Sequence, residues 1–231
     1  MLSVVYLIFN EGYTATAGDE WMRAALCEDA LRLGRMLAQL LPGEPEVHGL
    51  QALMELQASR TAARRGPAGE AVLLFEQDRS LWDHAQIQRG LAALARTQEL
   101  GGGARNYALQ AAIAACHARA NTAAETDWQR IVLLYDELLQ ISPSPIVALN
   151  RAVAVGMAHG PAAGLHALDA LAAEPALANY HLLPSVRGDL LVKLGRYAEA
   201  REELQRALAM TDNVRERELL SKKLEQAMFI D

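Results

Sequence analysis

The stretch Gly195-Arg-Tyr-Ala-Glu-Ala-Arg-Glu-Glu-Leu-Gln-Arg-Ala207 decides the fold of this chain. Small and large apolar residues recur every three or four positions after the glycine, which is the period of one buried helix face. Glycine also ends helices readily, so a second helix is expected before Gly195. A helix pair of this size cannot bury its apolar face alone, and we expect neighbouring pairs to stack on it.

Similar but weaker spacing occurs upstream, partially over 131–143 and poorly over 163–175. The pattern resembles the tetratricopeptide (TPR) repeat, a helix pair that recurs about every 34 residues. Proline at first turns and glycine at ends divide the region after Asp127 into successive helices with short connections. We therefore predict TPR-like antiparallel helix pairs with a concave surface.

The N-terminal half is also predicted to be helical, with less regular punctuation. Asp19 is the expected N-cap of a helix that runs to Leu40. The short apolar run 71–75 favours a connector, after which Asp78 or Ser80 is expected to cap the next helix. The glycines at 101–103 mark a hinge candidate. The sequence thus predicts an all-α protein with a helical bundle over 1–103 and TPR-like repeats over 104–231, or one continuous helical domain.

Composition excludes several functional classes. The net charge of −6 argues against nucleic-acid binding by this chain, because phosphate recognition needs a basic face. The segment Val4–Phe9 lacks the basic flank and the cleavage site of a secretory signal, and no apolar run is long enough for a membrane span. We expect a cytoplasmic protein without a membrane partner, in which Cys27 and Cys116 are buried thiols.

No catalytic motif is present in the sequence. The chain has no phosphate-binding glycine loop, no nucleophile elbow and no zinc-binding pattern. His159 and His166 could approach each other across a turn, but two loop-end histidines do not define a metal site. We expect no enzyme activity, no cofactor and no metal.

Polar residues interrupt otherwise apolar helices at several places. The structural interpretation is that they form buried hydrogen-bond networks and caps, which is the usual fate of polar groups in cores. The functional interpretation is that they line a shared groove. The candidate residues are Asn10, Glu11, Asp78, Arg79, Trp82, Asn150, Arg151 and His181.

Six segments together resemble one family: Tyr6–Tyr13, Glu44–Leu50, Asp78–Asp83, Thr126–Trp128, Pro143–Val153 and Tyr180–Leu183. They are similar to the C-terminal, TPR-like extension of bacterial extracytoplasmic-function RNA polymerase sigma factors. The resemblance implies a regulatory, protein-interacting domain that modulates transcription initiation and has no catalytic residues. Its implied partners are core RNA polymerase, the sigma regions of the same polypeptide, or both.

The same resemblance implies that sigma regions 2 and 4 lie upstream of the segment seen here, and that promoter DNA is contacted only through them. Two other functions stay open on the residues alone. One is a small-ligand sensor with a pocket lined by Asn10, Glu11, Arg79 and Asn150. The other is a generic TPR scaffold that binds a partner's peptide in its concave face.

Overall fold

The computed structural model describes residues 1–13, 22–67, 70 and 72–228. Within those ranges the chain forms eleven α-helices and no strand, which confirms the predicted all-α fold. None of these helices combines the length and the apolar character needed to cross a membrane. The chain divides into two compact units, Met1–Asp127 and Trp128–Asp231.

The first unit is a bundle built around one central helix. Its helices are α1 (Leu2–Tyr13), α2 (Ala24–Leu40), α3 (Pro45–Ala58), α4 (His84–Glu99) and α5 (Asn106–Arg119). Helix α3 packs against each of the other four, and most of its residues are buried. Such all-round burial explains why α3 shows little amphipathic pattern in sequence.

The second unit is a chain of helices in which each packs on the next. They are α6 (Trp128–Ile141), α7 (Pro145–His159), α8 (Pro161–Asp169), α9 (Leu182–Lys193), α10 (Tyr197–Ala209) and α11 (Val214–Met228). Ala200, Leu204 and Ala207 are buried, as the opening stretch predicts. Gly195 joins α9 to α10 with a φ of +73°, a conformation that glycine adopts without steric cost.

The division between the two units falls after Asp127, whereas the sequence predicts it after residue 103. Helix α5, which the sequence assigned to the repeats, packs on α3 in the first unit. The glycine segment expected to be a hinge is a hydrogen-bonded turn: Gly101 N–H donates to Gln98 (2.9 Å) and Gly102 N–H to Thr97 (2.9 Å). These bonds end α4 and return the chain towards α5.

Two capping predictions differ from the structure or lie outside it. Helix α4 is capped by Asp83, whose carboxylate accepts from Gln86 N–H at 2.9 Å. Asp78 instead caps the short 3-10 turn Arg79–Leu81. The predicted cap Asp19 lies outside the described residues, and α2 begins at Ala24.

Candidate functional site

The second unit contains a groove of about 640 Å³. Three consecutive helices, α6, α7 and α8, supply its walls, as expected for stacked helix pairs. Most of the lining is apolar or small: Val132, Leu139, Ala148, Val155, Ala163, Ala167, Ala170 and Leu171. The groove therefore offers an apolar strip between helices, which suits a peptide or helix better than a polar metabolite.

Four polar side chains also line this groove. Arg151 Nε donates to Asp136 Oδ1 at 2.5 Å, which links α7 to α6. His159 and His166 lie on exposed positions of α7 and α8. No group of three metal-ligating side chains forms in the described part of the chain. Arg151 is the one predicted site residue that lines the groove.

Arg79 links the segment that precedes α4 to the end of α5 and the residues after it. Its guanidinium donates to the backbone oxygens of His117 (2.5 Å) and Ala120 (2.7 Å) and to Thr126 Oγ1 (3.1 Å). It also lies 5.0 Å from the ring centroid of Trp82, which is buried. Arg79 thus satisfies carbonyls at the end of α5, which supports the structural interpretation for this residue.

Burial and nearby positive charge together lower the pKa of His117, whose backbone oxygen accepts a hydrogen bond from Arg79. Loss of hydration is the main cause, and the guanidinium groups of Arg60 and Arg79 add to it, so that the pKa of His117 falls to about 4. The imidazole is therefore neutral near pH 7, where an ordinary histidine begins to protonate.

The remaining candidates in the first unit have separate local partners. Glu11 forms an ion pair with Arg23 at 3.1 Å, between α1 and the residue that precedes α2. Asp78 accepts hydrogen bonds from Ser80, which lower the pKa of its carboxyl group. Asn10 is half-buried on α1. None of these contacts links the three residues to one another.

The two other candidates in the second unit also lie apart from the groove lining. Asn150 is exposed on α7, so it is not the embedded polar group that the sequence suggested. His181 precedes α9, and its Nε2 lies 3.1 Å from Glu216 Oε2 on α11. Of the residues predicted to form a ligand pocket, Asn10, Glu11 and Arg79 belong to the first unit and Asn150 to the second. Within the first unit, Glu11 pairs with Arg23 and Arg79 with the end of α5.

Sequence reasoning missed most of the groove, including Asp136 and the small residues of α8. The spacing of Ala163, Ala167 and Ala170 indicates a weak repeat in the sequence but does not show that these residues line a groove. A stripe of alanines on a short helix is the feature that could have indicated it, because small side chains leave room for a partner.

Comparison with known proteins gives two similarities. Residues 1–98 match a family of unknown function, DUF6596. The chain is also 46% identical over 217 residues to an uncharacterized protein of Rhizobium meliloti (strain 1021). That similarity covers 93% of this chain and 50% of the relative, so the chain spans about half the length of the curated relative it matches.

Proposed function

We propose that this chain is a regulatory, protein-interacting domain of a bacterial extracytoplasmic-function sigma factor. In this role it modulates transcription initiation by contacting core RNA polymerase or the sigma regions of the same polypeptide. The domain acts in the cytoplasm. In the Rhizobium meliloti relative, promoter recognition belongs to the half that this chain does not match.

The observation that carries the proposal is the groove of α6, α7 and α8. Its apolar strip is of the kind that binds a partner's helix or peptide. The six sequence segments that resemble sigma-factor extensions supply the identity of the partner. The length of the Rhizobium meliloti relative is compatible with the presence of separate sigma regions, since half of that protein lies outside the match.

The net charge of −6 supports the proposal that this domain contacts proteins while other regions contact promoter DNA. A duplex is held mainly by cationic contacts to phosphates, which an acidic chain supplies poorly. An acidic domain can instead act on proteins that themselves bind DNA, such as polymerase or basic sigma regions.

Binding of the purified chain to bacterial core RNA polymerase and, separately, to the unmatched half of the Rhizobium meliloti relative tests this proposal. We expect one of the two to bind, and Ala163→Trp to weaken that binding because the ring fills the groove. Ala162→Trp is the matched control, since Ala162 is exposed on the same helix and does not line the groove. Absence of binding to both partners, or equal binding by both variants, would contradict the proposal.

A further inference from the structure

The first unit contains a cavity that no proposed role uses. It measures about 400 Å³, within the range of small-molecule sites, and it is lined by the end of α1, by α2, by the end of α3 with the residues that follow it, and by the start of α4. The lining is largely apolar or small: Gly12, Tyr13, Met22, Ala24, Cys27, Leu31, Ala58 and Ala62. Burial raises the pKa of the Cys27 thiol to about 11, so this thiol is a neutral part of the wall near pH 7.

An arginine pair lies one helical turn from this cavity. Glu55 on α3 has a fully buried side chain (0% exposed), and its two oxygens accept from Arg35 Nε at 2.6 Å and from Arg89 Nε at 3.4 Å. Three cavity-lining residues lie three or four positions away on the same helices: Leu31 before Arg35, Ala58 after Glu55 and Gln86 before Arg89. Residues with this spacing are neighbours on one helix face, so the triad lies one helical turn beyond the cavity lining.

The orientation of the two arginines is suited to the cavity. Side chains of a helix lean towards its N-terminus, and on both α2 and α4 the cavity-lining residues lie on the N-terminal side of the arginine. Among the described residues each guanidinium contacts Glu55 through Nε, so its two Nη groups remain to bind a ligand. Both side chains are about two-fifths exposed, at 41% and 44%.

The charge balance favours an anion at this point. One buried carboxylate faces two guanidinium groups, so the triad carries one excess positive charge although the whole chain is acidic. Glu55 also fixes the arginines in position, which reduces the entropy that they would lose on binding. The charged groups that line the cavity itself are the exposed Glu28 and Arg65, which are of opposite sign.

We infer that this cavity binds a small amphipathic organic acid, with its apolar body between α2, α3 and α4 and its carboxylate or phosphate on Arg35 and Arg89. Planar guanidinium groups match the oxygen geometry of both anions. The site lies within residues 1–98, the part that matches DUF6596, and the inference does not depend on the proposed sigma-factor role.

Calorimetric titration of the full chain with octanoate and octyl phosphate tests the inference, and the stronger binder identifies the head group. We expect saturable binding of at least one, and at least about tenfold weaker binding of 1-octanol and acetate, which each lack one half of the ligand. Arg89→Gln should weaken the anion about tenfold, whereas Arg32→Gln, on an exposed pair with Asp29, should leave binding unchanged.

A second variant keeps the inference testable if Arg89→Gln folds poorly. Ala62 is exposed at the rim, so Ala62→Trp should block the cavity without disturbing the core, and Ala95→Trp on α4 is its control. Absence of saturable binding of either anion, equal binding of 1-octanol, or unchanged binding by Ala62→Trp would overturn the inference.

Discussion

Removal of Arg35 is predicted to cost more stability than removal of the charge on Glu55, although both changes break the same ion pair. The two partners differ in burial: the Glu55 side chain is 0% exposed and that of Arg35 is 41% exposed. In Arg35→Gln the carboxylate stays buried with only the longer 3.4 Å contact to Arg89. In Glu55→Gln the two guanidinium groups that lose a charged partner remain accessible to water.

The magnitudes follow from this difference. An uncompensated buried charge costs about 3–5 kcal/mol, and because Arg89 remains we expect about 2 kcal/mol for Arg35→Gln. The amide of Glu55→Gln still accepts a hydrogen bond from one arginine, so its loss should be about 1 kcal/mol. The control Arg32→Gln breaks an exposed pair with Asp29 and should cost less than about 0.5 kcal/mol.

Urea unfolding at pH 7, followed by far-UV circular dichroism, measures these free energies of unfolding. The required order is a larger loss for Arg35→Gln than for Glu55→Gln, with Arg32→Gln close to the original protein. Equal losses for the first two variants, or the reverse order, would refute the reasoning that burial of the unpaired charge determines the cost.

Three further predictions concern the packing of Gly164, the pH dependence of stability and the hydrogen bonds of Arg79 to the end of α5. Gly164→Ala should lower the free energy of unfolding by about 2 kcal/mol, because its Cβ would lie 2.7 Å from the backbone of α7. Gly43→Ala should not lower it, because no atom of the described residues would lie within 4 Å of the new Cβ. The folded-state pKa of His117 is lowered to about 4, so the free energy of unfolding should fall by up to about 3 kcal/mol as the pH falls from 6.5 to 4. His117→Gln should remove that part of the pH dependence when unfolding is followed in an acid titration. Arg79→Lys should cost about 2 kcal/mol, since an ammonium cannot reproduce the fork of hydrogen bonds, and hydrogen exchange should quicken at the end of α5.

Helix positions in the second unit could be predicted because each helix packs on its neighbour in sequence. The spacing of Tyr197, Ala200 and Leu204 by three and four residues indicates the helix face that packs on its neighbour. The first unit is different: α3 meets α5 where Gly49 approaches the backbone of Ala108. That contact joins residues far apart in sequence and leaves no local pattern, so the sequence does not indicate that α5 belongs to the first unit.

The candidate site was only partly predictable for a related reason. Asn150 and Arg151 are adjacent in sequence, but successive residues of a helix point about 100° apart, and only Arg151 lines the groove. Arg79 is among the polar candidates of the sequence, but its acceptors are mainly backbone oxygens. Carbonyl groups are present at every residue, so no sequence pattern could have identified them.

In vitro transcription with the Rhizobium meliloti relative tests whether the region that matches this chain modulates transcription initiation. The full-length relative and a form without the region that matches this chain would each be combined with core RNA polymerase on fragmented genomic DNA, and the transcripts sequenced. We expect promoter-specific transcripts with the full-length protein and an altered yield or start-site pattern with the shortened form. Absence of specific initiation by the full-length protein, or identical transcripts from both forms, would contradict it.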